Sequence, residues 1–436
     1  MGRPNEPALP RYRQMNRPHT LLLVPLLAVA AGLAGCEEGR KNPPNVLVET
    51  VHAAAGQQQI AFYRVAREES VQTYLSAESH SFDADTYRFS LRIDPLDPNQ
   101  SRIAAEFEET LVGGNDYLIT YVEVAGLLQP LVTSRPQFSS ANGDAQIQIV
   151  HAASATAQVD IYLHDVGADL ATLTPLDTID YLLVTDPATF APGTYRMTVT
   201  APGDKSTLYF QHDFPLREGL SHSVILANAT DLSFATMNGL YVSPIESVTM
   251  QDLNARTAAR VINAIDDRMA RDVYLNGDFS APLFPAVPFA EATGYEDIEV
   301  GPSSLHTTPA GNPGVTELTV VFGAAPTASV THLLGTASTG NTAGVVTVDD
   351  RRPLTNGAKL EVMNAASNFD ILGVSLTEVG AEATESVYFF VTLPFQSRPS
   401  VPLLAGSYDI YMIDSATQAS VAGPLTVDLE DGGLYS

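Results

Sequence analysis

The stretch IQIVHAASATAQVDIYL, residues 147–163, decides the fold. Ile147 and Ile149 alternate with polar neighbours, as do Val159, Ile161 and Leu163 further on. Alternation with period two places one face of a strand on a core. The small and polar residues from His151 to Ala157 separate the two runs, so the segment reads as strand, turn, strand. Three further segments superpose on it: VETVHAAAGQQQIAFYR (48–64), ARVINAIDDRMARDVYL (259–275) and LEVMNAASNFDILGVSL (360–376). The anchors are His52, His151, Asn263 and Asn364, separated by 99, 112 and 101 residues, and each is followed by alanine. A period near 100 residues fits a series of small domains rather than a short-repeat solenoid.

A second landmark supports this register. Tyr87, Tyr195 and Tyr408 follow their anchors by 35, 44 and 44 residues and open alternating strands, the last two after a glycine-containing turn. In the third copy Leu305 stands near that point, before a looser insertion. Short runs of Val, Ile, Thr, Tyr and Phe bounded by Gly, Pro, Asn and Asp recur throughout, so the class expected is all-β. Six or seven strands per copy is the size of a two-sheet sandwich, immunoglobulin-like or transthyretin-like and antiparallel. The expected modules span 46–139, 145–250, 257–350 (divergent) and 357–436, the last without its final strand. The segments 134–145, 242–255 and 349–357 are expected as linkers, and four modules arranged end to end would form an extended string.

The repeats resemble a bacterial family of extracytoplasmic β-sandwich modules, the domain-of-unknown-function 4397 family. Its opening pattern, V-x-V-x-H-A-S-P-x-A-x-x-V-D-V-Y-x-x-G, is met at His151, Ala152, Val159, Asp160 and Tyr162, and at Asp272, Val273, Tyr274 and Gly277. The family's proline is missing from every copy, and two copies replace His with Asn. The resemblance implies a fold and an extracytoplasmic location, and no activity.

At the N-terminus Arg11, Arg13 and Arg17 precede an apolar run, Leu21 to Ala34, long enough for a signal peptide and too short to span a bilayer. Leu33-Ala34-Gly35-Cys36 resembles the bacterial lipobox. Cys36 is the chain's one cysteine, so no disulfide forms within the chain. The expectation is a signal peptide over 1–35, a lipid on the Cys36 thiol and a short anchor linker over 36–45. Two or more acyl chains would hold the protein at a membrane. Glu37 and Glu38 follow where an inner-membrane retention signal would carry aspartate, which favours the outer membrane or cell surface.

Of 436 residues, 23 are basic and 50 acidic; removing four Arg and one Glu with the leader leaves 19 and 49, a charge of −30. Such a surface repels phosphate backbones, so nucleic acid is excluded as a partner. No zinc or calcium spacing, nucleophile elbow or phosphate loop occurs, and neither a metal nor a cofactor is expected. Because Asn replaces His at two anchors, the anchors and the three tyrosines are read as structural. Asp160 and Asp272 are expected to face away from the core or pair locally, and the acidic turns 266–268, 348–352 and 428–431 to be solvated. The function expected is non-catalytic: a lipid-anchored envelope protein for adhesion, binding or spacing, partnered by the membrane and by another envelope protein or a glycan. Glycan binding is the alternative, and a hydrolase on a β scaffold a second one.

Overall fold

The computed structural model describes residues 44–93, 102–233, 235–355, 357–369 and 371–436. In the first module the strands are β1 (Asn45–His52), β2 (Gln59–Arg64), β3 (Arg67–Thr73), β4 (Ala77–Asp83), β5 (Thr86–Ile93), β6 (Arg102–Thr110), β7 (Asn115–Val124) and β8 (Leu127–Pro136). They form two four-stranded sheets, β4-β1-β7-β8 and β3-β2-β5-β6. The fold is the all-β sandwich expected, with one addition: β1 runs parallel to β7, while the remaining pairings of the module are antiparallel. The parallel pairing recurs in each module, between Ala145–His151 and Ser221–Asn228, Thr257–Ala264 and Ser329–Thr336, and Ala358–Glu361 and Leu434–Tyr435. In the fourth module the two-residue strand Leu434–Tyr435 is the counterpart of β7, and no counterpart of β8 occurs among the described residues.

The sequence of β1 explains its place. Val46 and Val48 point into the sandwich with Ile60, Phe62, Phe89, Leu91 and Ile119. Val51 and Ala53, on the opposite face, are buried as well. A strand covered on both sides needs apolar side chains at both parities, and the tight packing inside proteins admits few voids there. The cover on that second face is the next module. One core joins Val51, Ala53, Leu118 and Val122 to Val150, Ala152, Ile225, Ala227, Leu240 and Val242. Modules 1 and 2 therefore share a seam. The end-to-end string is corrected: residues 43–436 pack as one unit.

Two local expectations are also corrected. Asp160 and Asp272 pair locally, one of the two placements expected, but are buried rather than on a solvated face. Asp160 accepts the hydroxyl of Thr178 (2.6 Å) and the amide of Gly203 (2.7 Å). Asp272 accepts the amides of Ala286 (2.7 Å) and Gly311 (2.8 Å). Gly203 and Gly311 have φ of +71° and +74°, the left-handed turn that aims each amide at its carboxylate. In the third module, Ser303 stands where the other modules carry their landmark tyrosine. Thr307 pairs with Val273 as Leu91 pairs with Phe62, and Ser303 and Tyr87 lie four residues before them; Leu305 is two residues further on.

Candidate functional site

His52 and His151 close the first strands of their modules, Asn263 stands one residue before the end of its strand and Asn364 three residues past its own, and all four are buried. The Asn263 and Asn364 side-chain oxygens accept the amides of Ile265 (3.2 Å) and Ala366 (3.0 Å), two residues ahead, and their amides donate to Val287 (2.9 Å) and Leu393 (2.8 Å). His151 Nδ1 accepts the Ala153 amide in the same way at 3.4 Å. His52 is enclosed with neither ring nitrogen hydrogen-bonded. Burial pushes His52 down to about 3 and His151 to about 4, so both rings are neutral near pH 7. The landmark tyrosines also share one geometry: Tyr87, Tyr195 and Tyr408 each donate to a carbonyl four residues upstream, at Asp83, Ala191 and Leu404 (3.1, 3.0 and 3.1 Å). This resembles the tyrosine corner of immunoglobulin sandwiches. Cys36 lies outside the described residues.

A feature the sequence reading missed sits beside each anchor. Leu75, Leu182, Ala290 and Gln396 all have positive φ (55°, 71°, 62° and 63°). Their amides donate to the anchor carbonyls of His52, His151, Asn263 and Asn364 (2.8, 2.8, 2.7 and 2.6 Å). The residue before each is aromatic: Tyr74, Tyr181, Phe289 and Phe395. These aromatics lie 22, 30, 26 and 31 residues past their anchors, a scatter that hid them. The signal available was a Tyr or Phe entering a turn at the end of each third strand.

Tyr74 and Tyr181 tie the two modules together. Tyr74 donates to the Asn228 carbonyl of module 2 at 2.6 Å, and Tyr181 to the Glu123 carbonyl of module 1 at 2.7 Å. His52 pairs with Tyr121 and His151 with Leu226, so Glu123 and Asn228, two residues further along, are equivalent. The bonds are therefore reciprocal, as in an isologous interface.

Between these tyrosine bonds opens a cleft of about 380 Å³, lined by residues of both modules and by the strap 351–355. The strap was expected as a solvated linker, and this too is corrected. Arg352 is buried, donates to the carbonyls of Ala55 (3.0 Å) and Gln57 (3.2 Å), pairs with Asp350 (2.7 Å) and stacks on Tyr74 at 4.2 Å. Arg351 pairs with Asp231 of module 2 (2.5 Å) and covers the ring of Tyr295 in module 3 (4.3 Å). Asp349 accepts the hydroxyls of Tyr295 (2.5 Å) and Thr331 (2.7 Å) and meets Arg398 of module 4. Lys359, pushed down to about 8 by burial, also pairs with Asp350 at 2.7 Å. A strap carrying both signs of charge inserts between modules because each buried charge finds a partner there.

The carboxylates, side-chain amide and guanidinium groups that line the cleft are engaged by the protein itself. Glu123 accepts the Gly56 amide (3.0 Å) and the Gln57 side chain (3.2 Å), and Asn228 bonds Ala155 and Ser154 (both 3.0 Å). Asp231 holds Ser329 of module 3 at 2.7 Å. Elsewhere His306 lies between Ser304 and Thr319, both at 3.0 Å, so its two ring nitrogens each face a hydroxyl. Among the described residues no group of three or more His, Cys, Asp or Glu could hold a metal, and no helix is long and apolar enough to cross a membrane.

No curated protein matches the chain. Among solved structures, "The Bacillus anthracis TIE protein" aligns with 86% of this chain and 65% of its own length, at 8% identity and a TM-score of 0.17. The chain thus spans under two thirds of that protein. Residues 257–374 match the model of the family described as "Domain of unknown function (DUF4397)", from the first strand of module 3 into the second of module 4. Over that segment the chain is DUF4397-like.

Proposed function

We propose that the protein is a non-catalytic, lipid-tethered component of the cell envelope, a pre-formed β body that displays its loops to a partner at the cell surface. The observation that carries this reading is the state of the cleft: the carboxylates, amides and guanidinium groups that surround it are bonded within the protein. A catalytic or ligand site keeps some convergent polar groups free for its substrate. Here the groups join modules, and the chemistry they perform is cohesion. The loops at module ends then remain as the surface for contact. The acidic composition keeps such a body soluble and away from anionic headgroups, so attachment falls to the lipid on Cys36.

The test compares the wild-type protein with Cys36→Ala in cells fed a labelled fatty acid. The wild type is expected to take up label and to sediment with membranes; the variant is expected to be unlabelled and soluble. Adhesion of intact cells to neighbouring cells is measured in parallel and is expected to fall in the variant. An unlabelled wild type removes the tether, and undiminished adhesion removes the display role.

A further inference from the structure

The seam between modules 3 and 4 uses the same face as that between modules 1 and 2. Gly335, the counterpart of Val122, lies where an added Cβ would meet the Phe395 ring at 3.4 Å, and Phe395 is the counterpart of Tyr74. At the middle of this seam Arg260 and Glu361 are 3.4 Å apart, and their side chains are 15% and 14% exposed. Both stand three residues before their anchors, Asn263 and Asn364. Equivalent positions therefore meet across the seam. Arg260 also donates to Thr331 (2.8 Å), and Glu361 is met by Arg398 at 3.3 Å. The matching positions of modules 1 and 2 hold Glu49 and Gln148, both buried. Gln148 is satisfied by the Thr185 carbonyl at 3.1 Å, whereas Glu49 keeps one buried carboxyl oxygen without a partner.

We propose that the side chain three residues before each anchor selects which module closes against which, and excludes pairing between identical modules of two protein copies. An isologous face sets each residue near its own copy across the axis. Module 3 against module 3 would bury Arg260 beside Arg260. Module 4 against itself would bury two copies of Glu361, and module 1 two copies of Glu49. Burying like charges is strongly unfavourable, and specific interfaces use such repulsion against wrong partners. Unlike pairing within one chain avoids it. The partner this face accepts is a module of the same fold with a neutral or oppositely charged residue at that place.

The experiment uses R260Q, E361Q and the double variant. Each single substitution leaves one seam charge without its opposite across the interface, so both are expected to lower the melting temperature. The double variant is expected to lose less than the sum of the two losses. Neutral at both places, it is also expected to lose the barrier to self-pairing. After unfolding and refolding at high concentration, light scattering should find about tenfold more dimer than in wild type, the equivalent of 1.4 kcal/mol. Additive losses overturn the proposal, as does a folded double variant that is as monomeric as wild type. Should the double variant fail to fold, E49Q, refolded beside wild type at pH 9, above the value of about 7 to which burial raises Glu49, makes the same test in the other seam: more dimer on refolding supports the proposal, and a folded, unchanged monomer overturns it.

Discussion

Replacing Tyr74 and Tyr181 by phenylalanine isolates the seam between modules 1 and 2, because each change deletes one hydroxyl and leaves the ring. The hydroxyls donate across the seam at 2.6 and 2.7 Å, and burial pushes the ionisation of both upward, so both remain protonated donors through neutral pH. A net hydrogen bond contributes about 1 kcal/mol, and a carbonyl left unpaired raises the cost toward 2 kcal/mol. Tyr74→Phe is expected to cost somewhat more than Tyr181→Phe, because the Arg352 guanidinium stacks on its ring and the electron-rich phenol favours that contact. The two bonds sit on opposite modules and share no partner atom, so the double variant should lose nearly the sum, about 2–4 kcal/mol. For a cooperative unit of some 200 residues that is a fall in Tm of roughly 4–16 °C. The assay is calorimetry on the two single variants and the double, with Tyr87→Phe as a comparison inside one module. If modules 1 and 2 unfold as one unit, the seam variants shift one transition that covers both. A double variant with unchanged Tm would refute the seam, as would a calorimetric trace in which the two modules melt separately in wild type.

Acid is expected to destabilise the protein through its enclosed histidines. His52 is pushed down to about 3, and His151 and His332 to about 4, by burial. The unfolded chain binds these protons first, so the stability is complete above pH 6.5 and is lost as pH falls toward 3–4, by about 3 kcal/mol per residue at pH 4. Glu49, raised to about 7 by burial, acts in the opposite direction and adds stability as pH falls from 7 to 4.5. His52→Asn, the residue that two other anchors already use, should therefore lower the acid midpoint in a urea series with little change at pH 7; an unmoved midpoint would exonerate His52. Arg352→Ala deprives two carbonyls and a carboxylate of their donor and should cost about 3–5 kcal/mol, with protease cutting first at 351–355. Equal protease resistance of variant and wild type would show the strap to be passive. Asp160→Ala strands the Gly203 amide and the Thr178 hydroxyl and should cost about 2–3 kcal/mol, with faster amide exchange confined to the turn at 201–204.

The repeat register was legible because it depends on neighbours in sequence. Alternation through Ile147, Ile149, Val159 and Ile161 places the paired strands of each sandwich, and those residues are buried in one core. What lay across a module boundary was not legible. Val51 and Ala53 occupy the parity that a one-sided strand gives to solvent, and only a second sheet on that face explains their burial. The same limit governs charge. Asp349, Asp350, Arg351 and Arg352 look in sequence like a solvated linker, since a run of mixed charges is stable in water and its buried partners are remote in the chain. Arg352 binds carbonyls almost 300 residues away. Tyr74 and Tyr181 escaped notice for a geometric reason, because the hairpin between anchor and aromatic differs in length among the modules while the bond at its end does not.

This division between local and remote signals bears on how the chain reached its present form. A module whose first strand is apolar on both faces cannot be stable as an exposed bead, since its outer face would offer a sheet-sized apolar patch to water. Modules 1 and 2 therefore depend on each other, since each covers the outer face of the other's first strand. Divergence between the copies follows from the same constraint. At the anchors His and Asn perform one task in three of the four modules: His151, Asn263 and Asn364 each cap their own turn through an amide two residues on. Arg260, three residues before Asn263, is bound to its counterpart Glu361 in the next module, so a change at one is felt at the other. Sequence drift is thus free at the turn and coupled at the seam, and coupled residues of that kind are what turn four similar sandwiches into one body with a fixed order of modules.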